Sequence, residues 1–327
     1  DRSPSRGLGD VYKRQAPLLL TLASVGIASS ADIAALPWLR PPPSESLKSA
    51  QHLLSAIGAL RLDGNPSDGT PEYQPTSYAR RLASLPTHPR LAHMLLSSQG
   101  HPELEKTAAT LAALLGERDI LIGGSREHGV DVRKRLRAME EDAPFAVNHG
   151  ACARAKREAA DLLKQLRNGP GPHAGEEQGG KLEEGRRSAT ISSILVAELA
   201  KDRALEAGVL LSLAFSDRIG QLQPGKQNTF ALSNGRGAAL SSSADPLANA
   251  AYVVAPTLDG GDKASAKILL AAPLSLIALR AILSHLIEDK DEVYLAPSDG
   301  SVRARRTSRI GSLILSAEPL PAPAPVD

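Results

Sequence analysis

The chain has 327 residues, of which 42% are hydrophobic and 23% are charged, and its formal net charge is +2. This length and apolar content exclude a disordered polypeptide and predict two or three domains, whereas so small a net charge does not identify a nucleic-acid binder. The single cysteine, Cys152, excludes an internal disulfide and a cysteine-based zinc framework, which favours a reducing intracellular compartment.

The first fifteen residues, DRSPSRGLGDVYKRQ, differ in composition and periodicity from the sequence after them. They resemble translated adapter sequence, and we predict that residues 1–15 are non-native, disordered and dispensable. An alternative is a signal peptide, in which Lys13 and Arg14 precede the apolar run APLLLTLASVGIA and cleavage occurs at residues 28–30. That run is too short to cross a bilayer as a helix, so we expect no membrane segment.

Helical periodicity dominates the first half of the chain. Apolar residues recur at helical spacing from Ala16 to about Leu60, with a break at PWLRPPPSES, since three consecutive prolines cannot lie within a helix. The turn-rich stretch LDGNPSDGTPEYQPTSY predicts a loop or a short hairpin. Helical patterning then resumes and continues through CARAKREAADLLKQLR, which predicts a bundle of amphipathic helices.

The pattern changes after the bundle. Asn168 to Ser188 is rich in glycine and charge and predicts a flexible insertion, which one further helix, Ile191 to Asp202, follows. Short apolar runs then alternate with turn residues: GVLLSLAF, NTFALSN, AYVVAPTLDG, AKILLAAPL, EVYLA and SLILSAEPL. These runs predict the strands of a small barrel, interrupted by one helix near Ser275 to Glu288.

The stretch RIGQLQPGKQNTF has the glycine and lysine spacing of a phosphate-binding loop but lacks its hydroxyl residue. Gln227 stands where a serine or threonine would hold magnesium, and the residues after it alternate as in a strand rather than a helix. The spacing therefore predicts a connection between two strands and no nucleotide site. The histidines and Cys152 lack the spacing of metal ligands, and no serine has the sequence context of a catalytic nucleophile, so we expect neither a metal site nor a catalytic residue.

Arginines near the end of the chain are the best candidates for a binding site. In SVRARRTSRIGSLIL, strand alternation places Arg303 and Arg305 on one face, with Arg306 on the other. Arg218 and Arg236 are weaker candidates on turns of the same barrel. Cationic side chains on one face of a small barrel are typical of contacts with nucleic-acid phosphates. The alternative is a charged outer strand that keeps a sheet edge soluble.

The order of segments along the chain resembles a known family. APLLLTLASVGI, LPWLRPPPSESLKSAQHLLSAIGAL, LASLPTHPRLAHML and LAALLGERD resemble the accessory region behind the two motor domains of DEAH-type ATP-dependent helicases. The resemblance narrows to HrpB-like members through DVRKRLRAM, GVLLSLAFSDRIGQ, FALSNGRGAAL, DPLA, AKILLAAPL and VRARRTSRIGSLILSAEPLP. It covers most of residues 16–321.

This resemblance implies an α+β multidomain fold. The expected parts are a degenerate winged helix (16–88), a ratchet-like helical bundle (89–202) containing the insertion, an OB-like barrel (203–320) and a tail (321–327). It implies a non-catalytic part of an RNA helicase whose RecA-like motor domains, elsewhere in the same polypeptide, bind ATP and magnesium. RNA or another single-stranded nucleic acid is the expected partner. The alternative is a free-standing RNA-binding or scaffold protein without a motor.

Overall fold

A computed structural model describes residues 5–63, 72–140, 144–169, 203–259, 265–295 and 300–320. The chain divides into two compact units: the first comprises residues 1–122 and 135–191, and the second comprises residues 123–134 and 192–327. Residues 123–134, which fall within the predicted helical bundle, thus group with the second unit. Most of the predicted insertion, the helix predicted over 191–202 and the tail lie outside the described residues.

The first unit is built mainly from helices, with one short hairpin. The helices are α1 (Ser5–Ser24), α2 (Ser30–Ala35), α3 (Ser44–Ala56), α4 (Ser77–Ala83), α5 (Pro89–Ser98), α6 (Pro102–Gly116) and α9 (His149–Asn168). Strands β1 (Leu60–Asp63) and β2 (Glu72–Pro75) pair antiparallel, which confirms the predicted short hairpin. Helix α7 (Gly124–His128) belongs to the second unit, and α8 (Val132–Ala138) contains the residue boundary between the second unit and the first.

Helix α1 overlaps the segment that was predicted to be non-native. Its backbone is helical from Ser5 onwards. The non-native origin and the disorder expected for residues 1–15 stay predictions. The buried side chains described for α1 begin at Ala16 and continue with Leu19, Leu20 and Ala23. The dispensability of residues 1–15 stays a prediction.

Helices α6 and α9 form much of the core of the first unit. Small and aliphatic side chains of α6 and α9 pack with those of the segment between them, including Ile120, Leu121 and Cys152. Arg135 is only 2% exposed in its side chain, and its guanidinium lies 2.7 Å from a carboxylate oxygen of Asp119. This buried charge is therefore paired, as its desolvation requires.

The second unit contains a closed five-stranded barrel. Its strands are β3 (Ile219–Leu222), β4 (Thr229–Leu232), β5 (Gly237–Ala239), β6 (Tyr252–Asp259) and β7 (Ser265–Leu274). Around the barrel the order is β3-β4-β5-β7-β6, and the pair β5–β7 is parallel while the other pairs are antiparallel. Fully buried side chains such as Phe230, Leu232 and Ile268 fill its interior.

The run GVLLSLAF is a helix and not the predicted strand. It lies in α10 (Glu206–Ala214), in which every residue from Ala207 to Ala214 is buried. A helix buried on all sides has no polar face, so its periodicity cannot be told from that of a buried strand. Gly208 allows its close packing, since a Cβ there would lie 1.9 Å from the carbonyl oxygen of Pro273 in β7.

The last three strands form a separate sheet, whereas the sequence had predicted that they belong to the barrel. After α11 (Leu276–Ile282), the strands β8 (Ile287–Leu295), β9 (Val302–Ile310) and β10 (Leu313–Leu320) pair antiparallel in the order β10-β9-β8. The β9–β10 turn attaches this sheet to the barrel: the Ser312 amide donates to the Ser233 carbonyl at 2.9 Å. Gln221 of β3 also donates to the Ile314 carbonyl at 3.2 Å.

Candidate nucleic-acid interface

Strand β9 carries the three arginines that the sequence singled out, and it is the central strand of its sheet. It pairs with β8 on one side and with β10 on the other. The alternative interpretation, a charged outer strand protecting an edge, is therefore wrong about its position. Arg303 and Arg305 share one face and Arg306 lies on the other, as strand alternation predicts.

We define the arginine face as the face that carries Arg303 and Arg305. The register with β8 places further charged residues and one aromatic residue on it, because directly opposed residues of an antiparallel pair point to the same side. In all, the arginine face carries four cationic side chains and two carboxylates: Arg303, Arg305, Arg309 and Lys290, with Glu288 and Glu292. The arginine face thus has a net positive charge.

The opposite side, which we call the acidic face, has the reverse balance. It carries three carboxylates and one arginine: Asp289, Asp291 and Glu318, with Arg306. Arg306 binds Asp291 through two hydrogen bonds of 2.7 and 2.8 Å. This contact lowers the pKa of Asp291 and raises the pKa of Arg306. A nucleic-acid backbone would therefore be repelled from the side on which Arg306 lies.

Glu292 organises the centre of the arginine face. One of its carboxylate oxygens accepts a hydrogen bond from Arg305 Nε at 2.6 Å, and the other accepts from Arg309 at 2.5 Å. Arg309 also donates to the hydroxyl of Thr307 at 3.0 Å. The hydrogen bond from Arg305 is the main cause that holds the pKa of Glu292 below its ordinary value. One carboxylate thus fixes two guanidinium groups and neutralises only one of their charges.

Tyr294 lies directly opposite Arg303 on the arginine face. The guanidinium carbon of Arg305 lies over its ring, 4.5 Å from the ring centroid, which is within the range of a cation–π contact. Arg303 is exposed, and its Nε donates to the hydroxyl of Ser301 at 2.9 Å. The sequence alone does not reveal Tyr294, Lys290 or the role of Arg309, because only the β8–β9 register shows that they share this face.

Arg218 and Arg236 lie elsewhere in the second unit. Arg218 ends a short 3-10 helix before β3, donates to the Pro256 carbonyl at 2.8 Å and lies over the ring of Phe215. Arg236 is exposed in the turn between β4 and β5. Both residues are on connections of the barrel, as predicted, but neither is on the three-stranded sheet. The structure therefore does not join them to the arginine face.

The segment that imitates a phosphate loop connects two strands, as the sequence predicted. Gly220 lies within β3, where an added Cβ would be 3.1 Å from side-chain atoms of Phe230 and Val253. The connection leads directly into β4 and opens no helix, and Lys226 Nζ donates to the side chain of Gln223 at 2.8 Å.

In the described parts of the chain, no three side chains of metal-ligating type come together. None of the helices described is long and apolar enough to span a membrane.

Comparisons with known proteins agree with this architecture. No model of a known protein family matches the chain. The chain is 28% identical over 307 residues to the ATP-dependent RNA helicase HrpB of Escherichia coli, an alignment that covers 94% of this chain and 30% of HrpB. It is 31% identical over 99 residues to the ATP-dependent RNA helicase HrpA of the same organism, covering 30% of this chain and 7% of HrpA.

Solved structures give the same result in three dimensions. A crystal structure of the E. coli DExH-box NTPase HrpB superposes with a TM-score of 0.64 at 27% identity, over 95% of this chain and 31% of that one. A second crystal structure, of the E. coli DEAH/RHA helicase HrpB, gives a TM-score of 0.61 at 26% identity. Nearly all of the chain thus aligns with HrpB, but it spans only 30% of the length of HrpB. From these similarities in sequence and structure, the chain is a homologue of HrpB, a DEAH-type RNA helicase.

Proposed function

We propose that this chain is the non-catalytic, RNA-guiding and regulatory part of an HrpB-like ATP-dependent RNA helicase. The observation that carries this proposal is the asymmetric coverage: nearly all of the chain aligns with less than a third of HrpB. ATP and magnesium would be bound by RecA-like motor domains in the remainder of such a polypeptide. The chain would follow the motor domains and contact the RNA as it leaves them.

The strand order of the barrel supports an OB-like domain. Five strands close in the order first, second, third, fifth and fourth, and only the third and fifth strands pair in parallel. Small barrels of this kind commonly bind oligonucleotides. In the first unit, the β1–β2 hairpin with the helices around it supports the winged-helix assignment, and α5, α6 and α9 support the ratchet-like bundle.

The arginine face is the part of the second unit that we assign to RNA. Single-stranded nucleic acids bind to grooves or faces on which cations follow the phosphates and aromatic rings contact the bases. The cations of the arginine face are Arg303, Arg305, Arg309 and Lys290. On the acidic face, carboxylates outnumber cationic side chains. The polarity of the sheet therefore favours RNA on one side only.

A salt series tests this assignment with a matched control. Binding of a fluorescent single-stranded RNA to the whole chain is followed by anisotropy for the wild type, Arg303→Ala/Arg305→Ala and Arg306→Ala. Each lost phosphate contact should reduce the slope of log affinity against log salt by about 0.7. The double variant should lose affinity and slope, and Arg306→Ala should lose neither. A double variant that retains both would move the RNA contact away from this sheet.

The alternative is a free-standing RNA-binding or scaffold protein that shares these domains. Both hypotheses predict RNA binding, so the salt series does not separate them. The coding sequence upstream of this chain does separate them. A continuous reading frame with a phosphate-binding loop and a DEAH motif supports the helicase part, whereas a start codon near Ala16 supports the free-standing protein.

A further inference from the structure

We propose that Tyr294, together with the guanidinium of Arg305, is a stacking platform for one base of a single-stranded RNA. The proposal rests on the proposed RNA-binding function and adds a base contact to its phosphate contacts. The ligand of this platform is an unpaired nucleobase, which every single-stranded RNA presents.

Arg305 lies over the Tyr294 ring at 4.5 Å, and Glu292 holds the same guanidinium through Nε at 2.6 Å. The ring and the planar cation are thus fixed together before any ligand arrives. Unpaired bases stack on aromatic rings and on guanidinium planes alike, so this pair offers a preformed surface of the right kind.

The ring of Tyr294 does not fill the core of the barrel. The other aromatic side chains of the second unit, Phe215, Phe230 and Tyr252, are each at most 8% exposed. Tyr294 is instead only partly buried, on a sheet outside the barrel, and it does not belong to the barrel's core cluster. An aromatic residue retained at such a position suits a surface contact with a ligand.

The ring of Tyr294 shares its face of the sheet with four cationic side chains. Arg303 lies directly across from Tyr294, and Arg305, Arg309 and Lys290 continue along the same face. If the phosphates of an RNA strand contact these cations, its bases would lie close to the Tyr294 ring. Stacking does not depend on the identity of the base, which agrees with sequence-independent guidance of RNA.

The opposing explanation is that Tyr294 only stabilises the β8–β9 pair. Cross-strand contacts between an aromatic ring and a long side chain contribute to the stability of sheets without any ligand. Tyr294→Leu removes the aromatic ring but keeps an apolar side chain, and Tyr294→Phe keeps the ring. Thermal unfolding of both variants measures the structural contribution separately from binding.

The experiment uses the whole chain and two probes of equal length, a twelve-residue oligoadenylate and its abasic ribose–phosphate counterpart. For oligoadenylate, Tyr294→Leu should weaken binding about tenfold with no change in salt slope, because stacking releases no counterions. Tyr294→Phe should bind oligoadenylate within about twofold of the wild type, since the ring that stacks is retained. The abasic probe should bind all three proteins equally.

Three other outcomes distinguish failure of the stacking platform from failure of the proposed RNA-binding function. If Tyr294→Leu binds oligoadenylate as the wild type does, while Arg303→Ala/Arg305→Ala still lowers the salt slope, the stacking platform is wrong and the phosphate contacts stand. An equal loss of affinity for both probes would also overturn it, since the variant would then have disturbed the cations. If the wild type shows no salt-dependent binding to either probe, the proposed RNA-binding function itself is wrong.

Discussion

Arg305 and Arg306 are adjacent in the sequence but bind carboxylates on opposite faces of one sheet. Arg305 donates to Glu292 at 2.6 Å on the arginine face, and Arg306 donates to Asp291 at 2.7 Å on the acidic face. The two acids are themselves neighbours on β8, so one antiparallel register produces both ion pairs. The sheet therefore separates charge between its two sides although its strands carry equal numbers of acidic and basic residues.

We expect Glu292→Gln to raise the affinity for single-stranded RNA by a factor of about three to ten at low salt. The carboxylate competes with phosphate for Arg305 and Arg309, and its neutralisation leaves both guanidinium charges uncompensated. The amide oxygen of glutamine can still accept from Arg305, whereas its NH2 group cannot accept from Arg309, so the variant keeps the Arg305 contact and releases Arg309. Anisotropy with a labelled RNA in 50 mM salt measures the change.

Asp291→Asn is the matched control for Glu292→Gln. It removes the same unit of charge at the residue next to Glu292 in the sequence, but on the acidic face, beside Arg306. Its effect on RNA affinity should be much smaller at moderate salt, where screening weakens charges on the far side of the sheet. Equal gains from both variants would show that RNA responds to the overall charge of the chain and not to one face.

The same carboxylates predict how stability depends on pH. Hydrogen bonds from arginines hold the pKa values of Glu292 and Asp291 below their ordinary values. Their stabilising contribution is therefore complete above the unfolded-state values of about 4 and is lost as the pH falls through the lower folded-state values. Urea unfolding between pH 7 and pH 3 should show a smaller acid-induced loss of stability for Glu292→Gln than for the wild type. Parallel curves for the two proteins would contradict this.

Gly311 should be indispensable for the attachment of the three-stranded sheet to the barrel. Its φ is +55°, and a Cβ there would lie 2.2 Å from the Ser233 carbonyl oxygen, which accepts the hydrogen bond of the next residue, Ser312. Gly311→Ala therefore has to displace backbone from backbone, and we expect it to lower the free energy of unfolding by about 2 kcal/mol or more.

Gly225→Ala is the control that separates the steric clash with Ser233 from the cost of a positive φ at an alanine. Gly225 also has a positive φ, +70°, but no atom lies within 4 Å of the position that its Cβ would take. This variant should lose only the cost of a left-handed alanine, about 1 kcal/mol. Denaturant unfolding compares the two variants, and equal losses would show that the contact with Ser233 contributes nothing.

How far the sequence determines the site can be judged from β8 and β9. Alternation alone correctly separated Arg303 and Arg305 from Arg306, because the period of a strand is a local property. It could not show that Glu292 and Tyr294 stand beside them, since pairing partners depend on the register between strands. The segment IEDKD was not predicted as strand at all, because β8 lies at an edge with both faces exposed and has no apolar alternation.

Local sequence patterns also predict only part of the barrel. The turns around Asn234 and the connection at Lys226 were predicted from local residues, and the structure confirms both. The helix α10 was mistaken for a strand because it is buried on every side. The separation of β8–β10 from the barrel depends on long-range contacts such as Ser312 with Ser233, which no local pattern contains.

The connection at Gly220 to Lys226 should bind no nucleotide, despite its spacing. It lies between two strands, and its backbone amides are used within the barrel: the Leu222 amide donates to Ala251 and the Lys226 amide donates to Gln223. A phosphate would need several free amides at the start of a helix, which this connection does not open. Adding ATP and magnesium to the chain should therefore leave its thermal midpoint unchanged.

The thermal midpoint is sensitive enough to detect ATP binding. A ligand present at 100 times its Kd would stabilise the folded chain by about 2.7 kcal/mol, which corresponds to a shift of several degrees in the midpoint. Lys226→Ala should behave as the wild type with and without ATP, and so should Lys48→Ala, which removes an exposed lysine from the first unit. A saturable rise in the midpoint that Lys226→Ala abolishes and Lys48→Ala retains would establish a nucleotide site here, because only a contact through that amine distinguishes the two lysines.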